Sequence, residues 1–245
     1  KQQFYLDKPW YAAYPLWLWD VSRGKLGNSF RYQRPVVDVI GQRLPISIYY
    51  GIFTLIITYF IAVPLGVYKA VRHQSTFDSV SSIFVFVGYA IPSYVLGVLL
   101  WYFFAARLEW FPTAGFVSEN HDELSFFGKL GDVLHHSVLP LTCYIIGSFA
   151  FVTFLMKNHL MESLSADYVR TAVAKGASFR QSVWRHAFRN SLIPLSTNLG
   201  HQVAVLITGS FLIETIFVIE GFGKLGFESV VHRDFPVVMA ITLIS

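Results

Sequence analysis

Charge is scarce in this sequence. Of its 245 residues, 14% are Asp, Glu, Lys or Arg, against about 25% in an ordinary soluble domain. That deficit excludes a disordered chain, which needs charge and little hydrophobicity. A net charge of +4 is confined to particular loops, so a nucleic-acid-binding domain is excluded as well. Cysteine is nearly absent. Cys143 alone permits no internal disulfide and, inside an apolar run, says nothing of redox compartment. No G-x-x-x-x-G-K-S/T occurs, because each of the three Gly-Lys pairs is followed by Leu, so the chain has no P-loop with which to hydrolyse ATP. The H-E-x-x-H and G-x-S-x-G patterns of common membrane proteases and esterases are missing too. There is no initiating Met and no visible signal peptide. The chain opens at Lys1 and stops within an apolar stretch at Ser245, so it reads as a fragment of something longer.

Hydrophobic residues fill the gap, at 54% of the chain. A bilayer crossing needs about 20 apolar residues, and four runs meet that length: 46–68, 80–104, 137–156 and 192–219. A fifth starts near Pro236. The first three runs contain no Asp, Glu, Lys or Arg, and the fourth contains only Glu214. The expectation is an all-α polytopic membrane protein.

The charged residues then orient it. Segment 157–190 carries six of the nineteen Lys and Arg against Glu162 and Asp167, whereas 105–136 carries five acids against Arg107 and Lys129. Positive residues stay inside, so 157–190 and 69–79 are expected in the cytoplasm and 105–136 and 220–235 outside. Alternation places the amino-terminal segment outside despite its seven basic residues. Long segments far from a span translocate with little regard to charge. The Trp10, Tyr11, Tyr14, Trp17 and Trp19 cluster suits the outer interface, at the level that Trp101, Tyr102 and Trp110 mark on the second span.

The 157–190 segment has ordered signals. Ser165 is placed to cap a helix whose first turn holds Asp167, and Gly176 to end it in the left-handed region. Ser178 and Gln181 make a capping box for a second helix, on which Phe179, Val183 and Ala187 recur beside Trp184 and Phe188. The bend carries small side chains at Thr171, Ala172 and Ala174, which allow another protein to approach the backbone. On the residues alone, an amphipathic hairpin resting on lipid explains the pattern equally well.

The run Asp167-Tyr168-Val169-Arg170-Thr171-Ala172-Val173-Ala174-Lys175-Gly176, with Trp184 to Pro194 after it, resembles the coupling-loop signature of ABC importer permeases. Aligned on Gly176, the usual Glu position is Arg170, the two Ala positions are Thr171 and Ala172, and the final Leu and Pro positions are Phe188 and Arg189. Those departures are similar to the oligopeptide/dipeptide branch. Arg43-Leu44-Pro45, Val63 to Val67, Glu214 to Phe217 and Gly221-Phe222-Gly223 resemble that branch as well. Gly209 to Glu214 and His232 to Pro236 are similar to its microcin C and peptide permeases.

The resemblance implies a type I transmembrane domain with six spans, of which this chain lacks the first and most of the last. Residues 1–43 would form an external segment and 44–245 the transmembrane domain, with the coupling loop at about 157–190. It also implies a permease, not an enzyme, in the bacterial inner membrane. Its partners would be a second homologous permease, two ATPase subunits and an external solute-binding protein, with lipid around it and no nucleic acid. This chain would bind no cofactor or metal, since ATP and Mg would sit on the ATPase subunits. Asp167, Arg170, Thr171, Ala172, Ala174, Lys175 and Gly176 would form the ATPase-coupling loop. The alternatives from other classes are an ion-coupled secondary transporter and a membrane-embedded enzyme. The first normally needs buried ionisable groups that the first three runs lack, and the second lacks an assembled catalytic set.

Four residues are candidates for a pathway. Glu214 is a functional candidate as an intramembrane acid, and snorkelling or a helix-end hydrogen bond also accounts for it. Asn198 and His201, with Gln202, give the fourth run a polar stripe that serves either a wet channel or interhelical hydrogen bonds. Pro92 implies a kink, for packing or for a gate. Two patterns read as decoys. Gly221-x-Gly223-x-x-Gly226 matches a dinucleotide fingerprint only in spacing and suits a re-entrant turn. His135 and His136 are adjacent, point apart on a helix, and lack a third metal ligand.

Overall fold

The computed structural model describes Tyr5 and residues 7–207 and 209–244, with the side chains of 201 and 203–207 outside the description. The architecture is all helical, with a single β-bridge between Asn28 and Pro35 among the described residues. Helix α1 is Trp10–Ser22, α2 is Val36–Val71, α3 is Thr76–Ala90 and α4 is Ser93–Leu100, which continues as a π-helical stretch over Trp101–Arg107. Helix α5 is Phe126–Ser165, α6 is Asp167–Ala174 and α7 is Phe179–Gln181. A π-helical stretch over Ser182–Ala187 leads into α8, Phe188–Ile207. Then come α9 at Phe211–Ile216, α10 at Phe222–Val231 and α11 at Phe235–Ile244.

The long central pair is α2 with α5. At 1.5 Å rise per residue, the 36 residues of α2 extend about 54 Å, well beyond a hydrocarbon core of about 30 Å. The first run therefore starts as a helix ten residues earlier than hydropathy suggests, at Val36 behind Pro35. Proline is well placed to open a helix. Pro45 and Pro64 sit inside α2, which membrane helices tolerate because neighbours and local adjustment satisfy the freed carbonyls. Among the described residues, α2 and α5 are long and apolar enough to cross a membrane.

The second run is not one straight helix. It breaks at Ile91-Pro92, and the two halves meet at 88°. Pro92 removes an N–H and holds its predecessor extended, and Ile91 has φ −83° and ψ 119°. The fourth run is likewise not a single span. Helix α8 ends at Ile207, Gly209 adopts φ +69°, and α9 starts a separate short helix. Hydropathy merged them because the break contains no charge.

Three buried clusters line the long axis. Val36, Val39 and Ile40 pack with Phe222, Leu225 and Val237 at one end. Tyr50, Leu139, Cys143, Ile213 and Phe217 fill the middle. Val67, Met156, Leu160, Val169, Ala187 and Leu195 close the other end. The perimeter is apolar as well: Phe60 is 80% and Phe84 75% exposed, a distribution that only lipid or another subunit makes favourable.

Two lysines counted with the loops are in fact buried. Lys69, in α2, is 0% exposed and Lys157, in α5, is 9% exposed. Both face Asp78 of α3, a residue that no motif singled out.

Candidate functional site

One end of the molecule is an elbow. Helix α5 stops at Ser165, a single extended residue (Ala166, φ −73°, ψ 150°) intervenes, and α6 begins. Ser165 does not cap α6. It is still the last residue of α5, and its hydroxyl turns back to donate to the Glu162 carbonyl at 2.8 Å. The other end of α6 follows its glycine. Gly176 has φ +91°, its N–H donates to the Val173 carbonyl at 2.9 Å, and the Ala177 N–H donates to that of Ala172 at 3.0 Å. This is a Schellman stop. Ser178 and Gln181 then form a reciprocal capping box, the Gln181 N–H on Ser178 Oγ at 3.3 Å and the Ser178 N–H on Gln181 Oε1 at 3.0 Å.

Only Val169 anchors α6 in the body, at 4% exposure. Asp167, Tyr168, Arg170, Thr171, Val173, Ala174 and Lys175 are exposed, with Ala172 half-buried among them. The anchored side of the next stretch is Val183 and Ala187, while Phe179 and Trp184 stand out at 60% and 52%, so the expected stripe divides and Phe179 leaves the buried face. Ser191 fastens α8 to α5 through the His159 carbonyl and Ser163 Oγ, both at 3.1 Å. The elbow is thus a short helix fixed at both ends that presents a bare mixed face.

The opposite end is a cap. Glu214 is 1% exposed and does not snorkel. Its carboxylate accepts from Ser47 Oγ at 3.1 Å and from the Lys224 N–H at 2.6 Å, while Ser47 Oγ accepts from the Phe222 N–H at 2.8 Å. A carboxylate at a helix N-terminus meets both the orphan N–H groups and the helix dipole. Gly221 leaves room for this arrangement, because a Cβ would lie 2.5 Å from the Glu214 carboxyl carbon and displace the carboxylate. The G-x-G-x-x-G run therefore opens α10 around a carboxylate of the protein itself.

Asp234 plays the same part for the amino-terminal segment. It accepts from Ser29 Oγ and from the N–H groups of Phe30 at 3.0 Å and Arg31 at 3.3 Å. Arg31 pairs with Glu228 at 2.7 Å and Arg43 with Glu220. Acids of the 220–236 segment thus meet part of the basic excess of residues 1–45, which lessens the conflict with the charge rule. Nearby, Asp132 collects the Ser118 N–H at 3.0 Å, His121 Nδ1 at 2.6 Å and His136 Nδ1 at 3.2 Å. Burial raises the Asp132 carboxyl, but the Ser118 N–H and His121 outweigh it and hold the group below its ordinary value. His135 is engaged elsewhere, with Nε2 on the Trp110 carbonyl at 2.8 Å. Among the described residues no group of His, Cys, Asp and Glu is placed to hold a metal ion.

The pathway candidates sit on different elements. Pro92 lies at the α3–α4 bend and Glu214 in the cap. Asn198 is on α8 with Nδ2 buried and without a partner among the described residues. The His201 side chain lies outside the described residues.

The helices define a membrane-embedded, all-helical protein with an exposed elbow at one end. Comparison with known proteins gives the family: the chain belongs to the binding-protein-dependent transport system inner membrane components, matched over residues 62–245. It is 40% identical over 247 residues to the peptidoglycan transport system permease protein YejB of Agrobacterium fabrum, covering all of this chain and 68% of that protein. It is 40% identical over 234 residues to the inner membrane ABC transporter permease protein YejB of Escherichia coli O157:H7, covering 94% of this chain and 64% of that one. Against the oligopeptide transport system permease protein AppB of Bacillus subtilis it is 34% identical over 245 residues, covering 76% of the relative. The chain spans about two thirds to three quarters of these relatives' lengths.

Proposed function

We propose that this chain is one of two transmembrane subunits of an ATP-driven importer for peptides or peptide-like compounds. Peptidoglycan, oligopeptide and dipeptide transport in the relatives' names support that cargo class, and microcin C-like compounds fall within it. The observation that carries the reading is the elbow, a fixed short helix with a bare face, continuous through one residue with the longest helix of the protein. A rigid helix of that kind transmits a rigid-body motion between subunits.

In this reading the elbow end faces the cytoplasm, residues 1–43 and the cap face outward, and 44–245 form the transmembrane domain. Asp167, Arg170, Thr171, Ala172, Ala174, Lys175 and Gly176 meet one of two ATPase subunits, which bind ATP and Mg. This chain binds no cofactor itself. A solute-binding protein delivers cargo at the cap end, and the pathway runs between this chain and a second permease. An ion-coupled transporter gains no support from Glu214, whose carboxylate is engaged by Ser47 and the α10 backbone.

The test is purification of the full-length protein from its own membranes. An ATPase subunit co-purifies, and Gly176→Pro, which forbids φ +91°, abolishes the association while the permease remains in the membrane. Cargo uptake into sealed vesicles by the permease alone, with no ATPase bound, would contradict the proposal.

A further inference from the structure

Lys69, Asp78 and Lys157 come from three different helices and meet in a buried site. A buried ammonium persists only if charge and hydrogen bonds replace the water it loses. Lys69 Nζ donates to the Asp78 carbonyl at 2.9 Å and to Ser81 Oγ and Ser82 Oγ at 2.8 Å each. These use all three of its N–H groups, and Asp78 Oδ1 lies 3.1 Å away. Lys157 Nζ reaches both oxygens of the same carboxylate at 2.7 Å. Asp78 also accepts from the Gln74 N–H at 3.2 Å, and its own N–H is held by Ser75 Oγ at 3.2 Å. His73 Nδ1, more exposed, stands 3.4 Å from Oδ2.

Near this site α2 and α5 already touch backbone to backbone. A Cβ on Gly66 would lie 2.7 Å from both the Met156 Cβ and the Thr153 carbonyl oxygen. Helix α3 joins this pair at its first turn through Asp78. From Lys157 the helix runs on to Ser165 and, across Ala166, into the elbow, a rise of about 15 Å to Asp167. In the other direction α3 leads to the 88° bend at Pro92.

We infer that Asp78 is a positioning residue that clamps the start of α3 to α5, so that a displacement of the elbow carries α2, α3 and α5 as one body to the α3–α4 bend. The inference rests on the elbow being the ATPase-docking element. A buried ion pair is weak evidence of net stability, and in some proteins it fixes a unique geometry instead. The clamp accordingly affects how faithfully motion is passed on, beyond any effect on folding.

Lys157→Met tests it without leaving a bare buried carboxylate, because Lys69 still faces Asp78. Lys157→Arg keeps the pairing, and Asp78→Asn is the harsher companion. The complete importer, with spin labels at Ser79→Cys and Glu162→Cys on the exposed sides of α3 and α5, is examined in lipid nanodiscs with and without ATP. Uptake of a labelled tripeptide per ATP hydrolysed is measured in proteoliposomes. The parent and Lys157→Arg give one narrow label distance in both nucleotide states. In Lys157→Met that distance broadens, ATP hydrolysis stays within about two-fold, and uptake per ATP falls about five-fold or more. A narrow distance in Lys157→Met, or uptake per ATP at the parental value, overturns the clamp. A parent complex that binds no ATPase overturns the docking reading instead, and the label distance still decides the clamp.

Discussion

The two ends of the molecule solve the problem of a helix terminus in opposite ways. At the elbow, α6 is stopped by a Schellman glycine and α7 is opened by a capping box, with hydrogen bonds that span five residues at most, and the outward face of α6 is left bare. At the cap, the acids that hold the start of α10 and the amino-terminal segment also reach across the chain, with Glu214 meeting Ser47 and Asp234 meeting Ser29 across separations of 167 and 205 residues. Local closure leaves a surface free for another protein. Long-range closure uses its polar groups up internally and sets the position of a segment that has no long helix of its own.

That contrast predicts where substitutions hurt function and where they hurt the fold. The largest effect is expected at the elbow. Ala172→Trp adds bulk to the small-residue face and lowers uptake per ATP by about ten-fold or more, within the usual range of coupling between sites, with membrane content unchanged. Normal uptake in this variant would count heavily against the docking surface. Next comes Glu214→Ala, which leaves the first N–H groups of α10 and Ser47 uncompensated. A loss of about 3 kcal/mol follows, since a hydrogen bond to a charged group contributes about 1.5–3 kcal/mol. Thermal unfolding reads it, and ATPase association of the folded fraction is unaltered.

Asp234→Asn is milder, about 1 kcal/mol, and its signature is local: trypsin cuts sooner at Lys25 or Arg31. A uniform rise in cutting along the chain would contradict a local tie. Acid offers a finer probe. Asp132 has its carboxyl held below its ordinary value, so its contribution is complete above the ordinary carboxylate range near pH 4. It is lost as pH falls further, through the depressed folded value. Exchange of the Ser118 amide should accelerate only in that window. The smallest effect belongs to Arg170→Ala. Its partner Asp167 is 3.6 Å away and both are exposed, so no change in thermal stability is expected, whereas an effect on ATPase binding would mark Arg170 as part of the docking face.

How far the sequence could be read follows the same division. The elbow was legible because its signals act within five residues: a glycine at the left-handed position, and a serine with a glutamine three places on. The membrane class was legible from runs of 20 apolar residues without charge. The breaks at Pro92 and Gly209 were harder, since a bend inside an apolar run changes no hydropathy. For Glu214 a helix-end hydrogen bond is one of the expected accounts and is what forms at α10, whereas its Ser47 partner, the role of Asp234 and the Lys69–Asp78–Lys157 cluster have no local signature. Lys69 and Lys157 look like loop charges in the sequence because both lie just beyond the apolar runs, where a lysine usually reaches water. What buries them is a carboxylate on a third helix.

The most direct test places one photo-crosslinking residue at each end of the full-length protein in its native membrane, at Ala172 on the elbow and at the exposed Phe227 on α10. The captured partner is identified by mass spectrometry. The account predicts an ATPase subunit at position 172 and none at 227. Capture of the ATPase at 227, or its absence from 172 in a membrane actively importing peptide, would contradict it.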